Sequence, residues 1–211
     1  MQYKVVLLGD SGIGKTSICR RQINKIYSKN QETTIGAMLF TTKIDFIDNN
    51  INRTVKLEVW DTAGQEKYRS IAPIYYKSSN CVILCFDITD IRSFNSIKNY
   101  WMTMFIKNNN NQYFIKKYYT DDPVYIVLVG TKKDMAENRK VSIEDIDNFC
   151  NNYSIEYFET SAMNNENINE LFLDIAKKTY LLNNSKIVLE NNTIDINIIT
   201  PPKTNYCCYF Y

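Results

Sequence analysis

The feature that most constrains the fold is a glycine-rich segment at residues 9–16. It reads GDSGIGKT and fits the pattern G-x-x-x-x-G-K-[ST]. The apolar run at residues 5–8 predicts a buried parallel strand before it, and residues 16–26 predict a helix after it. Glycines allow turns that point several backbone N–H groups at one position, beside the helix N-terminus. The segment is therefore predicted to bind phosphates, with Lys15 reaching the β- and γ-phosphates and the Thr16 hydroxyl ligating Mg²⁺.

The rest of the chain alternates between predicted strands and predicted helices. Five further strands are predicted at residues 40–46, 54–60, 81–86, 125–129 and 155–159. Amphipathic helices are predicted at residues 93–106, 142–151 and 168–182. The turn at residues 48–50 joins the first two of these five strands into a hairpin. The pattern predicts an α/β fold with a mostly parallel six-stranded sheet, helices on both faces and one antiparallel edge.

Composition excludes several classes of function. The 25 basic and 23 acidic side chains give a net charge of +2, so no nucleic-acid partner is expected. The chain has no histidine, which excludes histidine-based triads, general bases and metal sites. Cys81 and Cys85 lie in an apolar run and are predicted to fill the core, and the cysteine pattern favours a reducing compartment. No apolar run is long enough to cross a membrane.

Two segments depart from the strand–helix pattern. Residues 108–122 are rich in Asn and Tyr and are predicted to be a low-complexity surface insertion. The polar stretch from Asn183 onward contains Pro201 and Pro202 and is predicted to be a linker. The sequence thus predicts a globular domain at residues 1–182, including the insertion, and a flexible C-terminal tail at residues 183–211.

A second chemical element follows the second strand of the hairpin, where residues 60–66 read WDTAGQE. A carboxylate at a strand end, here Asp61, can hold the Mg²⁺ shell. The Gly64 N–H can turn toward a γ-phosphate, and Gln65 can orient an attacking water. An isolated Asp in this position is as often a simple turn residue, but its place after a phosphate loop favours the functional interpretation.

Two further segments follow strands and predict a base-binding site. Residues 130–134 read GTKKD, and residues 159–163 read ETSAM. Ligands of open α/β sheets bind outside the carboxyl ends of the strands. Asp134 can accept hydrogen bonds from guanine N1–H and from its 2-amino group, which adenine does not offer. Backbone N–H groups of residues 161–163 can meet guanine O6.

Together these elements resemble a small GTPase of the Ras superfamily, and the intervening residues resemble the Rab family. The Rab-like stretches include residues 34–37 (TIGA), 67–71 (KYRSI) and 72–76 (APIYY), and the first and last of these are most similar to the early-endosomal branch. The resemblance covers residues 2–182 apart from the insertion, and it implies the phosphate-loop small GTPase fold.

The resemblance also implies a role for each matching residue. Catalytic roles fall to Gln65, Lys15 and Thr34, and Mg²⁺ ligation or its shell to Thr16, Thr34 and Asp61. The apolar patch that effectors recognise would include Leu39, Trp60 and Tyr75. The implied nucleotide-binding residues are Ser11, Gly12, Ile13, Gly14, Lys15, Thr16, Ser17, Tyr27, Thr34, Asp61, Gly64, Thr131, Lys132, Asp134, Ser161, Ala162 and Met163.

This chain departs from the family pattern at three positions. Thr131 stands where the family usually has Asn. A Thr hydroxyl cannot form the two hydrogen bonds that an Asn amide forms, so affinity for the base is expected to weaken. Met163 replaces a usual Lys, which removes a charge expected to steady the loop. Phe40 after Leu39 alters the aromatic pattern of the effector patch. None of these changes removes a group that the reaction needs.

The last residues suggest a lipid anchor. Cys207 and Cys208 resemble the Rab double-geranylgeranylation signal, and Cys208 with its three followers also has the C-a-a-X frame. The tail lacks a basic cluster, so two prenyl chains would be needed for stable membrane binding. The expected location is the cytoplasm, with cycling onto the cytosolic face of endosomal or other vesicle membranes.

The sequence therefore predicts a GTP/GDP switch in vesicle traffic, with Mg²⁺ as its metal. The expected partners are an exchange factor, a GTPase-activating protein, a GDP-dissociation inhibitor and effectors. Two alternatives remain open at this point. One is a prenylated nucleotide-binding scaffold that does not cycle, which intact Thr34 and Gln65 disfavour. The other is a phosphate-loop ATPase or kinase, which Asp134 disfavours.

Overall fold

A computed structural model describes residues 1–108 and 124–191 of the chain. Most of the predicted insertion and the paired cysteines Cys207 and Cys208 lie outside these residues. Six strands form one sheet in the order β2-β3-β1-β4-β5-β6. Their bounds are β1 Gln2–Leu8, β2 Ala37–Asp48, β3 Ile51–Thr62, β4 Cys81–Asp87, β5 Tyr125–Thr131 and β6 Glu156–Glu159. The pair β2–β3 is antiparallel and every other pair is parallel, which confirms the predicted fold class.

The sheet is buried on both faces because alternate side chains of each central strand enter different cores. Val5 and Leu7 of β1 lie in one core, and Val6 and Leu8 lie in the other. Cys81 and Cys85 are fully buried, as predicted. Strands with apolar residues on both faces are typical of parallel sheets covered by helices.

The helices cover both faces of this sheet. Helices α1 (Lys15–Asn24) and α6 (Ile168–Asn191) contribute to the first core. Helices α2 (Ala72–Tyr76), α3 (Ile91–Ser96), α4 (Met102–Asn108) and α5 (Ile143–Tyr153) contribute to the second core. None of the described helices is both long and apolar enough to cross a membrane.

Several helical features differ from the sequence prediction, and neither α2 nor a 3-10 helix at Lys133–Asn138 was predicted. The helix predicted at residues 93–106 is divided, because a π-helical turn at Ile97–Trp101 lies between α3 and α4. Helix α6 continues past residue 182, where the last helix was predicted to end, and extends to Asn191, the last residue that the structure describes. A 3-10 helix at Glu66–Ile71 precedes α2 and was not predicted. Periodicity finds a long amphipathic helix but does not detect a single inserted residue within it.

The topology places the candidate site at one edge of the sheet. The carboxyl ends of β1, β3, β5 and β6 carry the phosphate loop, Asp61, Thr131 and the segment after Glu159, respectively. The Thr62 hydroxyl donates a hydrogen bond to the Leu7 carbonyl at 2.6 Å, which ties the end of β3 to β1. Segments distant in sequence therefore meet at one place.

Candidate functional site

The phosphate loop joins β1 to α1 with several residues in unusual backbone conformations. Gly9 has φ +144°, and a Cβ there would lie 2.3 Å from the Cys85 carbonyl oxygen, so only glycine fits. The loop brings Ile13 inward, where it is buried, and leaves Ser11 and Gly12 exposed. Gly14 precedes Lys15, the first residue of α1, and Thr16 and Ser17 lie in its first turn. The loop amides and the helix N-terminus thus lie together, as phosphate binding requires.

Lys15 is folded back over its own loop. Its Nζ donates hydrogen bonds to the carbonyl oxygens of Gly9 at 2.8 Å and Asp10 at 2.7 Å. Burial lowers the pKa of Lys15, and the nearby Asp61 and Asp10 carboxylates oppose that shift. A buried ammonium group that is held by neutral carbonyls is well placed to meet an anionic ligand.

The side-chain oxygens of Thr16, Thr34 and Asp61 form a compact cluster. Thr16 Oγ1 lies 2.9 Å from Thr34 Oγ1 and donates to Asp61 Oδ2 at 2.6 Å. Thr34 Oγ1 donates more weakly to the same oxygen at 3.4 Å. Asp61 is fully buried, and burial raises its pKa while these hydroxyl contacts and Lys15 lower it.

This cluster fits the Mg²⁺ that the sequence predicts. Asp61 Oδ1 is buried and has no hydrogen-bond partner within the described part of the chain. Two hydroxyls and a carboxylate are hard oxygen donors of the kind that Mg²⁺ prefers, with water completing its shell. Thr16, Thr34 and Asp61 would hold the ion or its waters, and the bound ion would neutralise charge on the phosphates.

The segment after Asp61 approaches the phosphate loop closely. A Cβ on Gly64 would lie 2.3 Å from the Asp10 carbonyl carbon and 2.5 Å from the Ser11 nitrogen, so no side chain fits there. Gln65 follows, half-buried, and immediately precedes the 3-10 helix. The predicted γ-phosphate donor and the predicted water-orienting residue therefore lie beside the loop.

The predicted base-binding residues come together beyond the ends of β5 and β6. Ser161 Oγ donates to Asp134 Oδ1 at 2.5 Å, which orients the exposed Asp134 carboxylate. Lys132 Nζ forms an ion pair with Asp87 Oδ2 at 2.6 Å.

The Thr131 hydroxyl, by contrast, lies 2.5 Å from the Ile13 carbonyl and 3.0 Å from the Phe86 carbonyl. Thr131 is only 3% exposed, so its hydroxyl binds the phosphate loop and β4.

Arg21 holds the loop at residues 161–163 and was missed by sequence reasoning. Its Nε donates to the Ala162 carbonyl at 2.6 Å, and a terminal nitrogen donates to the Met163 carbonyl at 3.1 Å. Its guanidinium also lies 6.0 Å from the ring centre of the exposed Tyr27. The charge expected at residue 163 is thus supplied from α1. Only a long-range contact reveals this role, since the Arg21 position in the helix carries no distinct signal.

The three predicted effector-patch residues are neighbours. Leu39 and Trp60 are cross-strand partners in the β2–β3 hairpin, and Leu39 is 51% exposed. The rings of Trp60 and Tyr75 lie 6.0 Å apart. The hairpin and α2 therefore present these side chains on one surface.

Comparison with known proteins agrees with this geometry. The Ras family profile matches residues 4–181. The GTP-binding protein ypt5 of Schizosaccharomyces pombe is 40% identical over 179 residues, which cover 84% of this chain and 78% of the relative.

The Rab-type resemblance is confirmed, and a scaffold that does not cycle is not favoured. Rab family membership implies exchange factors, activating proteins, dissociation inhibitors and effectors as general partners. The chain thus belongs to the Ras family, as a Rab-type small GTPase that binds GTP and GDP with Mg²⁺, hydrolyses GTP and regulates vesicle traffic.

Proposed function

We propose that GTP hydrolysis by this chain is carried out by the residues assembled at the ends of β1 and β3. The observation that carries the proposal is the convergence of Thr16, Thr34 and Asp61 beside Lys15. These side chains come from three separate segments. Residues 27–36, called here the first switch segment, contain Thr34. The arrangement supports a site in which this segment has closed on the metal position.

In this proposal each residue has a separate task. Lys15 and the loop amides stabilise charge on the transferring phosphoryl group, and bound Mg²⁺ supplies further charge neutralisation. Gln65 orients the attacking water. Intrinsic turnover is expected on the order of 10⁻⁴–10⁻³ s⁻¹, as for related GTPases. Residues 27–36 contain no arginine, so an activating protein would supply the arginine that accelerates hydrolysis.

Single-turnover hydrolysis by the Gln65→Leu variant tests this proposal. We expect the rate to fall at least about tenfold, because the water loses its orienting group, while GTP binding persists. The matched control is Gln2→Leu, which makes the same chemical change at the start of β1, away from the loop. A wild-type hydrolysis rate for Gln65→Leu would contradict the proposal.

Base recognition is proposed to rest on Asp134. Its carboxylate offers two acceptors to the two donors of guanine, and the bond from Ser161 supports that orientation. Tyr27 and Lys132 would contact the edge and face of the base, and backbone groups of residues 161–163 would meet its O6. Thr131 would act indirectly, by holding Ile13 of the phosphate loop.

The location and anchor of the protein are proposed at a finer level than family membership gives. The similarity of residues 34–37 and 72–76 to the early-endosomal branch supports action on endosomal membranes. Prenylation of Cys207 and Cys208 would hold the protein on the cytosolic face. Effectors of that compartment would recognise Leu39, Trp60 and Tyr75 when the switches are ordered by GTP.

A further inference from the structure

Asp10 of the phosphate loop accepts hydrogen bonds from two other parts of the molecule. Its Oδ1 atom receives bonds from an Arg69 terminal nitrogen at 2.9 Å, from Ser96 Oγ at 2.9 Å and from Trp101 Nε1 at 3.0 Å. Arg69 lies in the 3-10 helix after Gln65, whereas Ser96 ends α3 and Trp101 ends the π turn. One carboxylate oxygen thus connects the phosphate loop, residues 61–76 (called here the second switch segment) and the helix that contains the π turn.

Arg69 is also held by two aromatic rings. The carbon of its guanidinium lies 4.5 Å from the ring centre of Tyr100 and 5.7 Å from that of Trp101. The two rings meet edge to face at 5.1 Å. Cation–π contacts and a charge-assisted hydrogen bond together hold a guanidinium group in one position.

The two aromatic residues that contact Arg69 are consecutive and lie in the π turn. The Met102 N–H bonds to the Ile97 carbonyl, five residues earlier, so one extra residue is accommodated in the helix. Trp101 is fully buried, with its indole N–H at Asp10, while Tyr100 stays half-buried over Arg69.

These contacts lie close to the reacting part of the site. The Asp10 main chain lies close to Gly64. The Asp10 side chain accepts a hydrogen bond from Arg69. Gln65 lies between Gly64 and Arg69, and its carbonyl accepts a bond from the Tyr68 N–H in the same 3-10 helix. The segment that carries Gln65 therefore lies against the phosphate loop at Gly64 and is hydrogen-bonded to it through Arg69.

We infer that Trp101 is a positioning residue for GTP hydrolysis: through Asp10 and Arg69 it holds Gln65 in the arrangement that orients water. The inference rests on the proposed role of Gln65. Trp101 does not touch the reacting atoms in this account. Its contribution is to fix the far end of the second switch segment against the core.

Single-turnover hydrolysis in the full chain tests this inference with the variants Trp101→Phe and Arg69→Gln. Trp101→Phe keeps an aromatic ring and removes the indole N–H. Arg69→Gln removes the charged guanidinium group. Each is expected to lower the hydrolysis rate about tenfold, since small displacements of a catalytic group are costly. GTP and GDP affinities are expected to stay within about twofold of the wild type. Arg92→Gln is the matched control, because Arg92 forms an exposed ion pair with Asp90 at the start of α3.

A spectroscopic measurement separates positioning from general stability. The chain has two tryptophans, so Trp60→Phe leaves Trp101 as the single tryptophan, and excitation at the red edge of its absorption avoids the tyrosines. In that background, conversion of GTP to GDP is expected to change the Trp101 emission as Arg69 leaves its ring. Adding Arg69→Gln should abolish the change. Because Arg69 is partly exposed, this variant keeps the test valid should Trp101→Phe unfold.

The outcomes distinguish failure of this inference from failure of the proposed function. Wild-type hydrolysis rates in Arg69→Gln and Trp101→Phe, alongside slow hydrolysis in Gln65→Leu, would overturn the positioning role alone. A parallel loss of nucleotide affinity and hydrolysis would also overturn it, because the contacts would then be merely structural. A wild-type rate in Gln65→Leu would instead remove the proposed function on which the inference rests.

Discussion

Thr131 illustrates how a single side chain can serve the site without meeting the ligand. Its hydroxyl lies within hydrogen-bond distance of two buried carbonyls, those of Ile13 in the phosphate loop and Phe86 in β4. The hydroxyl has one proton, so the two carbonyls share a single donor. The residue therefore joins the loop that binds phosphates to the strands that carry the base-binding segments.

Replacing Thr131 by Val is expected to destabilise the protein. The shape is kept, but two buried carbonyls lose their donor, at a cost of about 1–3 kcal/mol. Affinity for GTP should fall as well, since Ile13 belongs to the loop. Thr131→Ser is the control that keeps the hydroxyl. Urea unfolding of the GDP-bound proteins measures the effect, and equal stability of the Val and Ser variants would contradict this account of the hydroxyl.

Sequence reasoning at this scale was better at naming candidate residues than at finding their supports. The motifs identified Thr16 and Asp61, the family resemblance implied Thr34, and the structure brings the three together. They gave no sign of Arg21 or Asp10. These supports act through single long-range hydrogen bonds, and such bonds leave no periodic pattern in the sequence.

At the scale of elements, a partly buried polar cluster joins α6 to the start of β5 and β6. The Tyr125 hydroxyl lies 2.7 Å from Asp174 Oδ2 and 2.8 Å from Glu156 Oε2, and Lys178 pairs with Glu156. One hydroxyl proton does not satisfy two carboxylates. Burial raises the pKa of Asp174, and the nearby Glu156 charge adds to that shift.

The raised pKa of Asp174 gives a pH-dependent stability. The folded protein holds this proton more tightly than the unfolded chain does, so the contribution is complete below the ordinary Asp pKa of 3.8. It is lost as the pH rises through the higher folded pKa. Asp174→Asn stays neutral and keeps an oxygen acceptor for Tyr125. We therefore expect the variant to gain stability relative to the wild type between pH 4 and pH 7.

Urea unfolding at several pH values measures this effect. The control is Asp147→Asn on α5, which removes one negative charge from an element outside the cluster. Its stability difference from the wild type should change less across the same pH range. An Asp174→Asn variant that is destabilised equally at every pH would show that Tyr125 needs the carboxylate itself.

Element prediction was accurate where a pattern is local. Each of the six strands was found, because buried runs and alternating runs have distinct periods. The π turn and the 3-10 helix after Gln65 were missed. A π turn adds one residue to an otherwise regular amphipathic helix, and a 3-10 helix of six residues is too short to show a clear period.

For the molecule as a whole, each of the two cores supports a different part of the candidate site. The core that includes α1 and α6 supports the phosphate loop and, through Arg21, the loop at residues 161–163. The core that includes α3 and the π turn supports Asp10 and Arg69. The phosphate loop is therefore supported from both faces of the sheet.

Membrane attachment is the property of the whole molecule that the paired cysteines Cys207 and Cys208 are predicted to control. A single lipid chain gives only marginal binding, and two chains give stable anchoring. The variant with both Cys207→Ser and Cys208→Ser should therefore lose membrane association, and Cys208→Ser alone should reduce it by about tenfold or more. All of these proteins should bind GTP equally, because the candidate nucleotide site lies within residues 9–163. Cell fractionation of the tagged full-length chain, with GTP binding measured in parallel, checks both expectations. Persistent pelleting of the double variant with membranes would contradict the lipid anchor.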